Sequence, residues 1–244
     1  MAGIWGKIIG GAAGLALGGP LGALIGAVAG HAVDKLRAGA AEASPDSARE
    51  TAFTIAVIAL GAKMAKADGH VSRDEIAAFR RLFHVPPEEL KNVGRVFDLA
   101  RKDARGFEPY ARQVARMFAA NPAVLEELLD ALFYIAKADG VIHPAEADYL
   151  ARVAEIFGFD ATTFNRIHAS HAGAGEVDPY AVLGVDPRAG DEEVRQAWLR
   201  LSREHHPDRL TAQGMPDDFI EVATERMATI NAAWDMIRKR RGLR

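Results

Sequence analysis

Apolar residues recur at helical intervals along most of the chain, and strand-like alternation is scarce. Near the C-terminus, Val194, Ala197, Trp198 and Leu201 follow the i, i+3, i+4, i+7 spacing that gathers them on one helix face. Asp191, Glu192 and Glu193 load that helix's first turn with the charge that suits the positive end of the helix dipole. Pro207 lacks an N–H and restricts the residue before it, so it is expected to stop the helix. After a polar stretch, Pro216-Asp217-Asp218 opens another helix, with Phe219, Val222, Ala223, Met227, Ile230, Trp234 and Ile237 as its apolar positions. Upstream, Asp178-Pro179-Tyr180-Ala181-Val182-Leu183-Gly184-Val185 reads as a short helix that ends in glycine.

The N-terminus has a different pattern. No charged residue occurs from Ile8 to Gly30, 23 residues that as a helix would span roughly 30 Å of hydrocarbon or slightly more. Gly10, Gly14, Gly18, Gly22, Gly26 and Gly30 recur every four residues, a row that would lie on one helix face and let a second backbone approach. This predicts a single membrane helix, kinked near Pro20, that self-associates as a homodimer. A cleaved signal peptide is the weaker reading, since only Lys7 precedes a long, glycine-broken apolar stretch. A buried soluble hairpin is a further alternative. Lys35 and Arg37 against Lys7 lean the orientation toward a cytoplasmic C-terminal side.

The middle of the chain repeats. Ala65-Lys66-Ala67-Asp68-Gly69-His70-Val71 recurs as Ala136-Lys137-Ala138-Asp139-Gly140-Val141-Ile142, and Glu75 and Glu146 follow at equal distance. Further on, Leu82-Phe83 corresponds to Ile156-Phe157, so the second copy has gained about one helical turn. Ser72 with Glu75 has the spacing of a capping box, and Pro144 suits a first helical turn. Two related helical hairpins packed as one bundle over about residues 48–168 are expected. Asp68, Glu75, Asp139 and Glu146 are oxygen ligands of the type calcium or magnesium takes, but no Asp-x-Asp-x-Asp-Gly loop is present. Helix capping is the preferred role for them and no metal site is expected. His70 and His143 read as surface residues.

Composition narrows the classes. A net charge of −3 gives no case for nucleic-acid binding by the chain as a whole. The basic run Arg238-Lys239-Arg240-Arg241 suits the negative end of the last helix. The absence of cysteine excludes thiol catalysis and thiolate metal sites and fits a reducing compartment. No Gly-rich phosphate loop follows a strand and no His-Glu-x-x-His occurs. His206 and Asp208 are separated by a single proline, which is expected to turn the two side chains apart and deny them a catalytic pairing. No cofactor is expected.

Together, the three C-terminal pieces around His206-Pro207-Asp208 resemble the J domain of DnaJ-type co-chaperones, two antiparallel helices with this tripeptide at the tip joining them. The resemblance implies binding to a DnaK-type ATPase chaperone and stimulation of its ATP hydrolysis. It points to His206, Pro207 and Asp208 as contacts, with Arg195, Arg200 and Arg203 as the basic face. Trp198 stands where a tyrosine is common and Leu199 where a basic residue is common, so the positive face is thin. The repeat of Ala-Asp-Gly followed by a glutamate resembles the tellurite-resistance TerB-like domain.

In order along the chain these parts resemble the DjlA-like, membrane-anchored DnaJ-family co-chaperones of the Gram-negative inner membrane. The implied architecture is all-α: an N-terminal transmembrane helix within residues 1–36, a TerB-like helical bundle over 48–168 and a C-terminal J-domain helical hairpin over 176–244. Linkers fall at Glu42–Ser47 and His168–Glu176. The chain is expected to be a single-pass, non-enzymatic regulator with cytoplasmic C-terminal domains. A membrane stress or metal sensor built on the bundle is the alternative, and a glycine-ladder pore is a third reading.

Overall fold

The computed structural model describes residues 18–29, 45–67, 73–83, 87, 90–103, 106–171 and 177–243. Among these residues there are helices and turns and no strand. The all-helical expectation therefore holds. Helix α1 is Gly19–Ala29, α2 Pro45–Ala67, α3 Arg73–Phe83, α4 Leu90–Lys102 and α5 Glu108–Met117. They are followed by α6 Pro122–Ala136, α7 Pro144–Phe157 and α8 Ala161–Ser170. The C-terminal part consists of α9 Pro179–Leu183, α10 Asp191–Glu204, α11 Pro207–Ala212, a 3-10 turn Asp217–Phe219 and α12 Ile220–Arg241.

The repeat is visible as helices. The set α2–α3–α4 corresponds to α6–α7–α8, with α5 inserted between the two copies. Helix α3 has 11 residues and α7 has 14, so the second copy carries the extra turn that the slipped offset anticipates. The centre of the bundle is α2, which packs on α4, α5, α6 and α7. Its residues 51–65 are all buried, including Phe53, Ile55, Ile58 and Met64. A helix enclosed on all sides has no polar stripe, which is why it shows little amphipathic pattern. The Tyr149 hydroxyl donates to the Leu60 carbonyl at 2.8 Å and ties α7 to this central helix.

At the second turn, Pro144 takes the first helical position of α7 as expected. Asp139 Oδ1 accepts the Val141 N–H at 3.1 Å, and Glu146 accepts the His143 N–H at 2.9 Å. The two acids therefore cap backbone donors. Asp68, His70 and Ser72 lie outside the described residues. Among the described residues, no group of three or more His, Asp or Glu is placed to hold a metal ion.

The N-terminal segment corrects one detail of the glycine ladder. Gly18 and Gly19 have φ of 55° and 57°, left-handed backbone, so the helix begins here instead of continuing through Gly18. Pro20 sits in the first turn of α1 instead of kinking a longer helix. Gly18 therefore does not share a helix face with Gly22 and Gly26, and Gly10, Gly14 and Gly30 lie outside the described residues. Helix α1 rests on α4 and α5, with Leu21 and Leu24 buried. Gln113 of α5 grips its start: the Leu21 N–H donates to Gln113 Oε1, and Gln113 Nε2 donates to the Gly18 carbonyl, both at 3.0 Å. A Cβ on Gly19 would be strained at this positive φ and would sit 2.8 Å from Gln113 Oε1, so a larger residue would displace the Gln113 grip. No helix among the described residues is long and apolar enough to cross a membrane.

Candidate functional site

The C-terminal hairpin has its own core, with Val182, Leu183, Val194, Leu201, Ile230, Ala233 and Ile237 packed where α9, α10 and α12 meet. Trp198 and Trp234 stack beside it, 5.1 Å between ring centroids and 8° from parallel, and Trp198 Nε1 donates to Asn231 Oδ1 at 2.9 Å. This contact explains how a tryptophan is accommodated at position 198: its N–H finds a partner on the facing helix.

Between these helices, α10 ends at Glu204 and the chain turns at His205. His206 has extended backbone, and its Nδ1 accepts the Asp208 N–H at 3.3 Å, so the imidazole serves as N-cap of α11. Two expectations change here. Pro207 ends one helix and also starts the next, as its first residue, so the stretch read as a polar loop is partly helical. His206 Nδ1 lies 3.8 Å from Asp208 Oδ2, so the two side chains lean together instead of apart. Both are open to solvent, at 54% and 93% side-chain exposure. Arg195, Arg200 and Arg203 are exposed along α10, and Arg195 has only a long contact, 3.7 Å, with Glu192.

Immediately behind the tripeptide lies a cluster that the sequence reading passes over. Glu126, Glu127 and Asp130 project from α6 of the bundle and meet His205 and Arg226 of the hairpin, together with Arg166 and His171 of the bundle. Arg226 Nη2 donates to Glu126 Oε2 at 3.0 Å, and its Nη1 and Nε lie 2.9 and 3.4 Å from Asp130 and Glu127. His205 Nδ1 is 2.7 Å from Glu127 Oε1. Its Nε2 lies 3.2 Å from Glu126 but off the hydrogen-bond direction, so that contact is coulombic. Arg166 pairs with the same Glu126. His205 and Arg226 are 0% and 2% exposed at the side chain, so the centre of the cluster is sealed from water, with Glu126 and His171 partly exposed at its edge.

Charges this deep survive only because each is paired. Burial pushes the Glu126 carboxyl up, but the close His205 ring and the Arg166 and Arg226 charges outweigh it and hold the group well below the usual carboxylate range. Asp130 is likewise pushed up by burial and held low by His171 and Arg226. Burial also works against the Arg226 guanidinium, and Glu127, Asp130 and Glu126 more than offset it. Three carboxylates face two guanidinium groups, with the His205 and His171 rings beside them. One signal for this cluster is present in the sequence. Glu126-Glu127 and Asp130 interrupt an otherwise apolar helix, and Arg226 falls on the stripe of Ala223, Ile230, Ala233 and Ile237.

Comparison with known proteins recovers the same parts. The family model "Co-chaperone DjlA transmembrane domain" matches residues 1–50, "Tellurite resistance protein TerB" matches 54–169 and "DnaJ domain" matches 178–241. Co-chaperone protein DjlA of Photobacterium profundum is 31% identical over 278 residues, covering 99% of this chain and all of the relative. The protein of the same name from Shewanella oneidensis is 32% identical over 267 residues (98% and 99% covered), and that from Coxiella burnetii 28% over 266 (98% of each). No solved structure matches. Matched end to end by such relatives, and carrying the anchor, TerB and DnaJ matches in that order, this chain belongs to the DjlA family of co-chaperones.

Proposed function

We propose that the chain recruits a DnaK-type ATPase chaperone to the membrane and stimulates its ATP hydrolysis. His206, Pro207 and Asp208 make the decisive contact, and Arg195, Arg200 and Arg203 form the basic face. The observation that carries this reading is the exposure of the His206 and Asp208 side chains at a tip whose neighbours, His205 and Leu210, are fully buried. The proline fixes the backbone, the imidazole and carboxylate face outward, and guanidinium groups on α10 offer forked donors to acidic partner groups. Any ATP chemistry belongs to the partner.

The anchor occupies residues 1–36, the bundle 48–168 and the J domain 176–244. The bundle and J domain face the cytoplasm of a bacterial inner membrane, where the partner finds ATP, and the chain passes the membrane once. The extra cations at Lys35 and Arg37 support this orientation. Self-association through the glycines completes the reading. Gly26 is exposed on α1 and a Cβ there would meet nothing within 4 Å, leaving room for a second backbone, whereas Gly22 one turn earlier is buried.

The test is ATPase stimulation of a purified DnaK-type chaperone by the full chain in lipid vesicles. His206→Gln and Asp208→Asn are each expected to abolish stimulation while leaving helical content unchanged. Stimulation by both variants equal to that of the parent would refute the reading.

A further inference from the structure

We propose that the acidic row Glu126–Glu127–Asp130 on α6 is the docking site of the J hairpin within the same chain, and that this docking positions the His206–Asp208 loop. The proposal rests on the co-chaperone reading and adds to it a role for the bundle.

The hairpin is not merely tethered to the bundle. Leu210, Met215, Phe219 and Ala223 belong to the bundle's hydrophobic core, not to the hairpin's own. The Phe219 ring meets Phe53 of the central helix edge-on, 4.7 Å between centroids. Gly214, at φ 98°, lets the chain pass Arg49, where a Cβ would come within 2.8 Å of that residue's Cβ. The tripeptide is therefore gripped on both sides. His205, one peptide bond before it, is held by Glu126 and Glu127, and Leu210, two residues after it, is set in the bundle core. Only the outward side chains of His206 and Asp208 remain free of this grip.

The cluster's chemistry suits orientation better than adhesion. A buried ion pair gains little over apolar packing of the same volume, because both charges lose their water. It does penalise every arrangement in which a charge loses its partner. Apolar contacts at Phe219 and Met215 would tolerate sliding, whereas Arg226 opposite three carboxylates admits one seating. In that seating the basic face of α10 and the tripeptide remain exposed, so docking presents them and does not cover them.

Removing the charges should free the hairpin without touching the tripeptide. The chain has no cysteine, so Glu155→Cys on α7 and Lys239→Cys on α12, both exposed, take paired spin labels selectively in the full chain. The parent is expected to give one narrow inter-label distance. Arg226→Glu, and separately Glu127→Gln, are expected to broaden it, and Arg226→Lys to restore most of the narrow population. In the ATPase assay, if the correctly oriented fraction falls to about a tenth, the half-saturating chaperone concentration rises about tenfold while maximal stimulation is kept. A narrow distance in both Arg226→Glu and Glu127→Gln overturns the docking site. A broadened distance with unchanged or improved half-saturation overturns the positioning role. A parent that never stimulates the chaperone removes the co-chaperone reading and the positioning role with it, while the distances still decide whether the acidic row docks the hairpin.

Discussion

The two halves of α12 are held in different ways. Its C-terminal half offers Ile230, Ala233 and Ile237 to the apolar core of the hairpin. Its Arg241 crosses to the loop before α10, donating to the Pro187 and Ala189 carbonyls, to Asp191 at 2.8 Å and to the Tyr180 hydroxyl at 3.0 Å. Its N-terminal half belongs to the bundle: Ala223 joins the bundle core, and Arg226 sits among the three acids of α6. One helix thus carries two arginines with opposite settings. Arg226 is sealed from water and faces carboxylates only, while Arg241 lies at the rim and bonds mostly to neutral oxygens. The C-terminal half keeps the hairpin folded, and the N-terminal half sets where it sits.

The largest expected effect comes from breaking the buried side of this comparison. Arg226→Ala leaves three acids with one guanidinium and should cost about 3–5 kcal/mol, read as loss of hydrogen-exchange protection along α6 and the start of α12. Leu201→Ala tests the other side. It deletes buried methyls from the hairpin core and should cost roughly 2–5 kcal/mol, with protection lost in α10 and α12 but kept in α2. If each variant loosened both regions equally, the two halves would be a single unit.

Acid sharpens the same contrast. Asp130 is held at about 2 against an ordinary 3.8, and Glu126 is depressed further from 4.5. Groups depressed in the folded state bind more protons when released, so their contribution is fully present above about pH 4.5 and is lost as pH falls through the folded values. Titrating from pH 6 downward should broaden the bundle-to-hairpin distance before the Trp198–Trp234 stack is lost, since that stack contains no carboxylate. Simultaneous loss of both would contradict this order. The smallest effect is expected for Arg241→Ala, whose partners remain open to water. It should speed hydrogen exchange around residues 187–191 and lower the melting temperature less than Leu201→Ala does.

Much of this fold is legible along the chain because its signals are local. The stripe of Val194, Ala197 and Leu201, the helix-ending Gly184 and the slipped repeat each follow from spacing within a few turns. The His206-Pro207-Asp208 tip is legible too, although α11 is not: its hold on the structure is Leu210, a single apolar residue whose partners lie far off in the bundle. The charge cluster is less legible still. Glu126 and Arg226 are 100 residues apart, and nothing local says that one completes the other. Each looks alone like a flaw in an apolar stripe, and the pairing becomes plain only when α6 and α12 meet. The start of α1 at Gly19 is hidden for a related reason, since the glycine period fits one continuous face and the left-handed start is gripped by Gln113 from a distant helix.

The most direct test of the account remains chaperone ATPase stimulation by the full chain in vesicles, comparing the parent with His206→Gln. The imidazole is half exposed and caps a six-residue helix through one long hydrogen bond of 3.3 Å, so its loss should cost about 0.5–1 kcal/mol, the low end for an N-cap. Strong stimulation is expected from the parent and none from the variant, with the variant still folded and melting at most a few degrees lower. Equal stimulation by parent and variant would contradict it, because the exposed tip would then have no part in the activity.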